Sequence, residues 1–357
     1  MTAPRSRTIA GPPSGTRVQA LADVPGLGGL YLRGAAGSAR TRLPGVRRGG
    51  GGPPALPPVA YRANGLRVDV DHLTTYQHLL REPGADALPS GYLHVLAFPV
   101  ATAVMVRDDF PLPLLGMVHV ANSASLLRPV TVGDELEVTA WTQDLRPHRR
   151  GSQLDVVAEV SVDGEVAWRG VSTYLAKHAG GRAPGGADRT DRADGSPDAE
   201  VGASTRDRAS QGPTSSADPY VDEGAERDGG GTGSHGAGRD SGAPVGSVVW
   251  KLPAGVGREY GAVSGDRNPI HMSALSAKAF GFPRAIAHGM YTAARALSDV
   301  GPRRGDTYDW TVEFAKPVLL PGTVSVEITE PQSGSFEYAA RSPRSGKTHL
   351  TGTVTRI

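Results

Sequence analysis

Two stretches of this chain alternate apolar and polar positions as folded elements do. "GDELEVTAWTQDLR" sets Leu136, Val138 and Ala140 against polar neighbours, the period-two pattern of a half-buried strand. "LDVVAEVSVDGEVAWRGVSTYLA" predicts a strand, a tight turn at Asp163-Gly164 and a second strand. Later, Ser273 is placed to cap a short helix through Phe280, with Gly281 to end it. "AIAHGMYTAARALSDVG" then spaces Met290, Ala293, Ala294, Leu297 and Val300 along one helical face, and Gly301 stops it. The remainder, from "YDWTVEFAKPVLLPG" through "TVSVEITEP" to "SFEYAARSPRSGKTHLTGTVTRI", reads as strands with a hairpin turn at Ser345-Gly346.

Elsewhere the pattern is missing. Residues 1–58, with "VRRGGGGPPALPP", read as a flexible Gly/Pro/Arg-rich arm, in which the apolar patch "LADVPGLGGLYL" is the segment suited to docking on a folded body. Residues 179–246 hold too few large apolar groups to offset the entropy of ordering, so a disordered linker is expected there. The folded units are then 59–178 and 247–357.

The two units echo each other. "LLRPVTVGDELEV" resembles "FAKPVLLPGTVSVEI", and "GYLHVLAFPVATAVM" resembles "AIAHGMYTAARAL", pairing His94 with His288 at the start of a helix. Upstream, Tyr76 matches Tyr260. Tyr76 and His94 are 18 residues apart, Tyr260 and His288 are 28 apart, and the ten extra residues fall in "SGDRNPIH". The repeat implies two α+β units, each a long helix with small buried residues wrapped by antiparallel strands.

Composition narrows the function. Thirty-eight basic residues against 36 acidic ones leave a formal charge of +2, which gives no argument for nucleic acid or an anionic membrane. With no cysteine, disulfides, thiolate nucleophiles and Cys-based metal sites are excluded. No apolar run approaches the ~18 residues of a membrane span, and the N-terminus has no apolar signal core, so a cytoplasmic protein is expected.

"SGDRNPIH" places Asp266, Asn268 and His271 close together around Pro269. One reading is a turn whose side chains cap local backbone. A second is a metal site, although hard ligands without a His-x-x-x-His spacing argue against it. The third is acid–base chemistry: a loop steered by Pro269 aims a carboxylate and an imidazole at one water, with backbone N–H groups near His288-Gly289 facing a developing oxyanion.

Over Tyr260–Met290, "YGAVSGDRNPIHMSALSAKAFGFPRAIAHGM" resembles the hydratase-2 motif of MaoC-like dehydratases, the (R)-specific enoyl-CoA hydratases. The resemblance implies a hotdog fold, here an α+β double hotdog with a non-catalytic first unit. It implies that Asp266 and His271 are the catalytic pair, supported by Asn268 and Ser264, and that the Gly289 N–H binds the thioester carbonyl. His288, Tyr260, Tyr92 and Phe98 are the substrate-binding candidates; for the last two, on the first unit, lining the space for the acyl tail stands beside core packing as the alternative. The implied partner is an acyl-CoA or acyl carrier protein thioester, without metal or redox cofactor. The chain is expected as a monomer with intramolecular hotdog pairing, or a homodimer. Carrier-protein dehydration, thioester binding without turnover and thioester hydrolysis are the alternatives.

Overall fold

The computed structural model describes residues 11–40, 55–114, 117–177 and 243–357. Strand β1 (Arg17–Ala20) and helix α1 (Leu27–Arg40) precede the first unit. That unit comprises β2 (Val59–Leu66), α2 (Val70–Leu80), α3 (Ser90–Met105), β3 (Met117–Leu126), β4 (Leu136–His148), β5 (Gly151–Val162) and β6 (Glu165–Lys177). The second runs β7 (Ala243–Leu252), α4 (Val256–Ser264), α5 (Pro269–Met272), α6 (Ala274–Ala279), α7 (Gly289–Val300), β8 (Tyr308–Phe314), β9 (Gly322–Gln332), β10 (Ser335–Arg341) and β11 (Thr348–Arg356).

The eleven strands of the described residues join one sheet in the order β1-β2-β4-β5-β6-β3-β8-β11-β10-β9-β7. Removing β1 leaves two five-stranded runs of identical connectivity, mirrored about the antiparallel β3–β8 seam, where Ala121–Leu126 pair with Glu313–Tyr308. Each half wraps its own central helix, α3 or α7, so the chain is an α+β double hotdog.

Local chemistry accounts for the elements. Asp163 and Gly164 have φ of 54° and 80°, the positive pair that a two-residue hairpin needs. Asp69 caps α2 by accepting from the N–H groups of Asp71 and His72, and the Ser273 hydroxyl caps α6. Helix α3 is apolar almost all round because twelve of its sixteen residues are buried. Gly91 lets it approach α7, since a Cβ there would sit 2.9 Å from Ala294 Cβ.

Four tryptophans are fully buried, and each indole N–H has an acceptor: Trp141 on Gln143, Trp168 on Ser90, Trp250 on Asp299 and Trp310 on Tyr338. Burial of each contributes on the order of 5 kcal/mol of gross transfer free energy, which an unpaired N–H would partly cancel.

Four sequence expectations need correction. The arm over 1–58 is folded in residues 11–40: β1 pairs in parallel with β2, from Arg17–Val59 to Ala20–Arg62, and α1 follows it. Residues 243–246, assigned to the linker, begin β7, while 178–242 lie outside the described residues. The half-buried strand of Leu136, Val138 and Ala140 is covered on both faces, because Trp141, Ala60 and Val157 form a second apolar cluster under Arg169. Finally, the repeat registers on helix starts and not on histidines. Pro89 occupies the N-cap position of α3 that His288 occupies in α7, leaving His94 one turn inside.

Tyrosines mark the true register. Tyr76 meets Tyr92 edge-on at 5.2 Å between centroids, and Tyr260 meets Tyr291 at 5.7 Å. The stretch between the tyrosines is therefore fifteen residues longer in the second unit, and those residues include α5 and α6.

Candidate active site

The extra residues build one wall of a cleft. Gly265 ends α4 in the left-handed region, with φ of 71°, which turns the chain sharply into Asp266. The Ser264 hydroxyl donates to the Tyr260 carbonyl at 2.8 Å and accepts from the Asp266 N–H at 3.2 Å, fixing that turn. Asn268 caps α5 through its side chain, and its own backbone N–H donates to Asp266 Oδ1 at 3.1 Å. Asn268 thus steadies the carboxylate through its main chain. Pro269 opens α5 at a position where a missing N–H costs nothing, and His271 follows two residues later.

A carboxylate oxygen of Asp266 and a ring nitrogen from each of His271 and His288 lie within 4.8 Å of one another. Each imidazole commits one nitrogen to a backbone carbonyl, which can only accept. His271 Nδ1–H donates to Ile286 O at 2.8 Å, and His288 Nε2–H donates to Asp266 O at 2.9 Å. His271 Nε2 is therefore left with a lone pair.

Burial pushes His271 down to about 3, reinforced by His288, so its ring is neutral at ordinary pH. Burial lowers His288 as well. At Asp266 burial acts to raise the carboxyl, but His288, His271 and donated hydrogen bonds outweigh it and hold the group below the usual carboxylate range. An ionised carboxylate thus faces a neutral imidazole.

These groups open onto a cavity of about 650 Å³ at the interface between the units. Of the site residues read from sequence, Asp266, His271, Asn268, Ser264, Gly289, His288, Tyr260 and Phe98 line it. Tyr92 does not. It is fully buried, and its hydroxyl donates to His72 Nδ1 at 2.9 Å, while His72 Nε2 donates to the Val263 carbonyl. Tyr92 is a core group joining α3 to α2, with His72 carrying the link on to α4, and it is the structural counterpart of Tyr291.

Gly289 is the first residue of α7, whose cap residue His288 makes no side-chain capping bond. The helix start therefore presents N–H groups and the positive end of its dipole to the cavity. A Cβ at Gly289 would come within 3.1 Å of the Phe314 ring, so the glycine also keeps the passage open.

Sequence reasoning missed three contributors. His94, His119 and Tyr174 from the first unit form a stacked wall, with centroids 6.3 and 4.7 Å apart along the series. Exposed Arg149 and Arg150 on the β4–β5 hairpin and exposed Lys316 also line the cavity. Tyr31, on α1, donates its hydroxyl to Asp266 Oδ1 at 2.5 Å. The apolar patch around Tyr31 was the only sequence signal for it.

The dyad-related end of the seam is closed. Ser90, the counterpart of Gly289, is fully buried and accepts from the Trp168 indole at 2.7 Å. Beside it Arg304 pairs with Glu82 at 2.7 Å in the same interior.

Comparison with known proteins gives the family and the fold. Residues 256–349 match the family described as MaoC like domain. A 3-hydroxyacyl-thioester dehydratase X of Mycobacterium tuberculosis is 32% identical over 289 residues, covering 81% of this chain and 86% of that protein. A 3-hydroxybutyryl-CoA dehydratase of Methylorubrum extorquens is 37% identical over 73 residues, 19% of this chain and 46% of that one. The crystal structure of HtdX from Mycobacterium tuberculosis aligns with a TM-score of 0.62 at 28% identity, covering 84% of this chain and all of that one. A dehydratase structure from Phytophthora capsici, with a TM-score of 0.53 at 15% identity, covers 84% of this chain and 95% of that one and supports the fold alone. Among the described residues no helix is long and apolar enough to cross a membrane.

Proposed function

Because the chain belongs to the MaoC-like dehydratase family, we propose that it hydrates a trans-2-enoyl thioester to an (R)-3-hydroxyacyl thioester and catalyses the reverse dehydration. It is a hydro-lyase of acyl thioesters. The observation that carries the finer reading is the placement of an ionised Asp266 and a neutral His271 on one side of a cavity that also holds the start of α7.

The chemistry follows from those protonation states. Both groups enter as proton acceptors, so they hold a water between them and take one of its protons. The water oxygen bonds C3, and the C2–C3 π electrons move toward the thioester oxygen. The Gly289 N–H and the α7 dipole stabilise that developing charge. The proton taken from water is then delivered to C2. One proton shuttles, atoms balance, and the site returns to its starting state without a second acid.

The first unit acts as a non-catalytic partner. The closed helix start at Ser90 and the Glu82–Arg304 pair support this assignment. Its side of the cavity, with Phe98 and His94, receives the acyl tail. The exposed cations Arg149, Arg150 and Lys316 suit the phosphates of a coenzyme A or of a carrier protein's pantetheine arm. The paired units function within one chain.

The test is a rate panel of enoyl-CoA esters of increasing length against matched carrier-protein esters, with product configuration determined. Hydration of at least one series to the (R)-3-hydroxy product is expected. Free thiol release without hydration would point to thioester hydrolysis and overturn the reading.

A further inference from the structure

We propose that Tyr31, brought from the N-terminal segment to the second unit, is a positioning residue for Asp266 that selects which carboxylate oxygen handles the proton. The inference rests on the hydration reading and extends the site to an element outside both hotdog units.

The geometry is specific. Asp266 Oδ1 accepts from the Tyr31 hydroxyl at 2.5 Å and from the Asn268 N–H at 3.1 Å. Those two donors occupy one oxygen and set the plane of the carboxylate. Oδ2 is left on the histidine side, 3.9 Å from His288 Nε2, whose proton already goes to a backbone carbonyl. Oδ2 is therefore the oxygen available to water. A carboxylate held by a single donor would rotate and present either oxygen, and loss of such alignment is costly in rate.

The contact spans 235 residues and is built from several directions. Strand β1 anchors the segment to β2 at the sheet edge, and the Leu21 N–H donates to the Arg62 carbonyl. Leu27 packs on Gly265, next to Asp266, where a Cβ would collide with its side chain. Gly34 passes over Leu114, with a hypothetical Cβ only 2.7 Å from the leucine Cδ2. Tyr31 therefore reaches the cavity wall from a helix fixed at both flanks. Burial and the Asp266 charge hold its phenol far above the usual range, so it serves only as a donor.

Asp266 is faced by His271 from α5, His288 from the start of α7, Tyr260 from α4, and, across the cavity, His94, His119 and Tyr174 from α3, β3 and β6. Removing the Tyr31 hydroxyl changes one donor and leaves the rest.

The experiment measures kcat and KM for hydration of a short enoyl-CoA across pH in the full-length wild type, Tyr31→Phe and Asp266→Asn. Phenylalanine keeps the ring and its packing. Tyr31→Phe is expected to lower kcat by roughly 10- to 100-fold, as a misaligned catalytic group does, with KM little changed. The acid limb of its profile should move to higher pH, because a bond to the charged carboxylate is lost. Unchanged kcat and acid limb in Tyr31→Phe, with Asp266→Asn inactive, would reduce Tyr31 to packing and overturn the inference alone. A faster Tyr31→Phe enzyme would make the tyrosine a plug and overturn it too. An Asp266→Asn enzyme as active as the wild type would remove the carboxylate from catalysis and overturn this inference, whereas a wild type that hydrates no enoyl-CoA would overturn the hydration reading itself.

Discussion

His271 and His288 stack face to face, with ring centroids 3.7 Å apart and planes 26° apart. Two imidazolium rings could not remain so close in a buried site, and both titrate low. The rate should therefore lack the step near pH 6.5 that an ordinary histidine gives. With His271 at about 3 and Asp266 below the usual carboxylate range, activity should persist to pH 5 in short assays. A sharp loss centred near 6.5 would mean that one ring charges in the folded enzyme.

Replacing either acceptor should stop turnover without unfolding the chain. Asp266→Asn and His271→Ala are each expected to lose at least ~100-fold in hydration rate, as an acid–base group does, with near-native melting. Activity loss accompanied by unfolding would favour the turn-only role of this segment.

Gly289 allows a test of its backbone. As the first residue of α7 it tolerates proline structurally, and His288 before it has φ of −62° and ψ of 138°, which a following proline accepts. Both Gly289→Pro and Gly289→Ala add a Cβ against Phe314, but only the proline deletes the N–H. The proline variant should fall below the alanine variant by roughly 10²–10³ in kcat, as for loss of an oxyanion donor. Equal rates would remove Gly289 from that role.

Acid should weaken the fold. Burial lowers His94 to about 4 and His119 and His271 to about 3. Unfolded histidines bind protons near 6.5, so between these values the unfolded state holds more protons and stability falls as pH falls. Three such rings give a slope of up to roughly 4 kcal/mol per pH unit. Melting temperature should drop steeply from pH 6 to pH 5, and a flat profile would contradict burial of the three as neutral rings.

Gly265→Ala should be costly for two reasons. Its φ of 71° strains an alanine by roughly 1 kcal/mol, and the added Cβ meets Leu27. Displacing α1 should reproduce the shifted acid limb of Tyr31→Phe, measured in the same assay.

Much of the second unit was legible because its signals are local. Ser273, Asn268 with Pro269, and Gly301 act through neighbouring backbone, and spacing alone places them. The cavity-facing residues of α3 were not legible. A helix that is apolar almost all round carries no periodic signal to separate Phe98, on the cavity, from Tyr92, in the core. The His94–His288 match failed for a similar reason, since residue identity was read where cap geometry sets the register. Tyr31 lay beyond local reasoning altogether: its partner is in the other half of the chain, and no pattern along the sequence encodes a contact at that range.

The sealed helix start at Ser90, with Arg304 and Glu82 beside it, bears on what joining two units achieves. In an assembly of identical subunits every substitution is copied to both clefts, so neither can be filled without losing the other. A tandem chain escapes that symmetry: one cleft can become solid interior that stiffens the scaffold, while its twin alone keeps the freedom to bind and react.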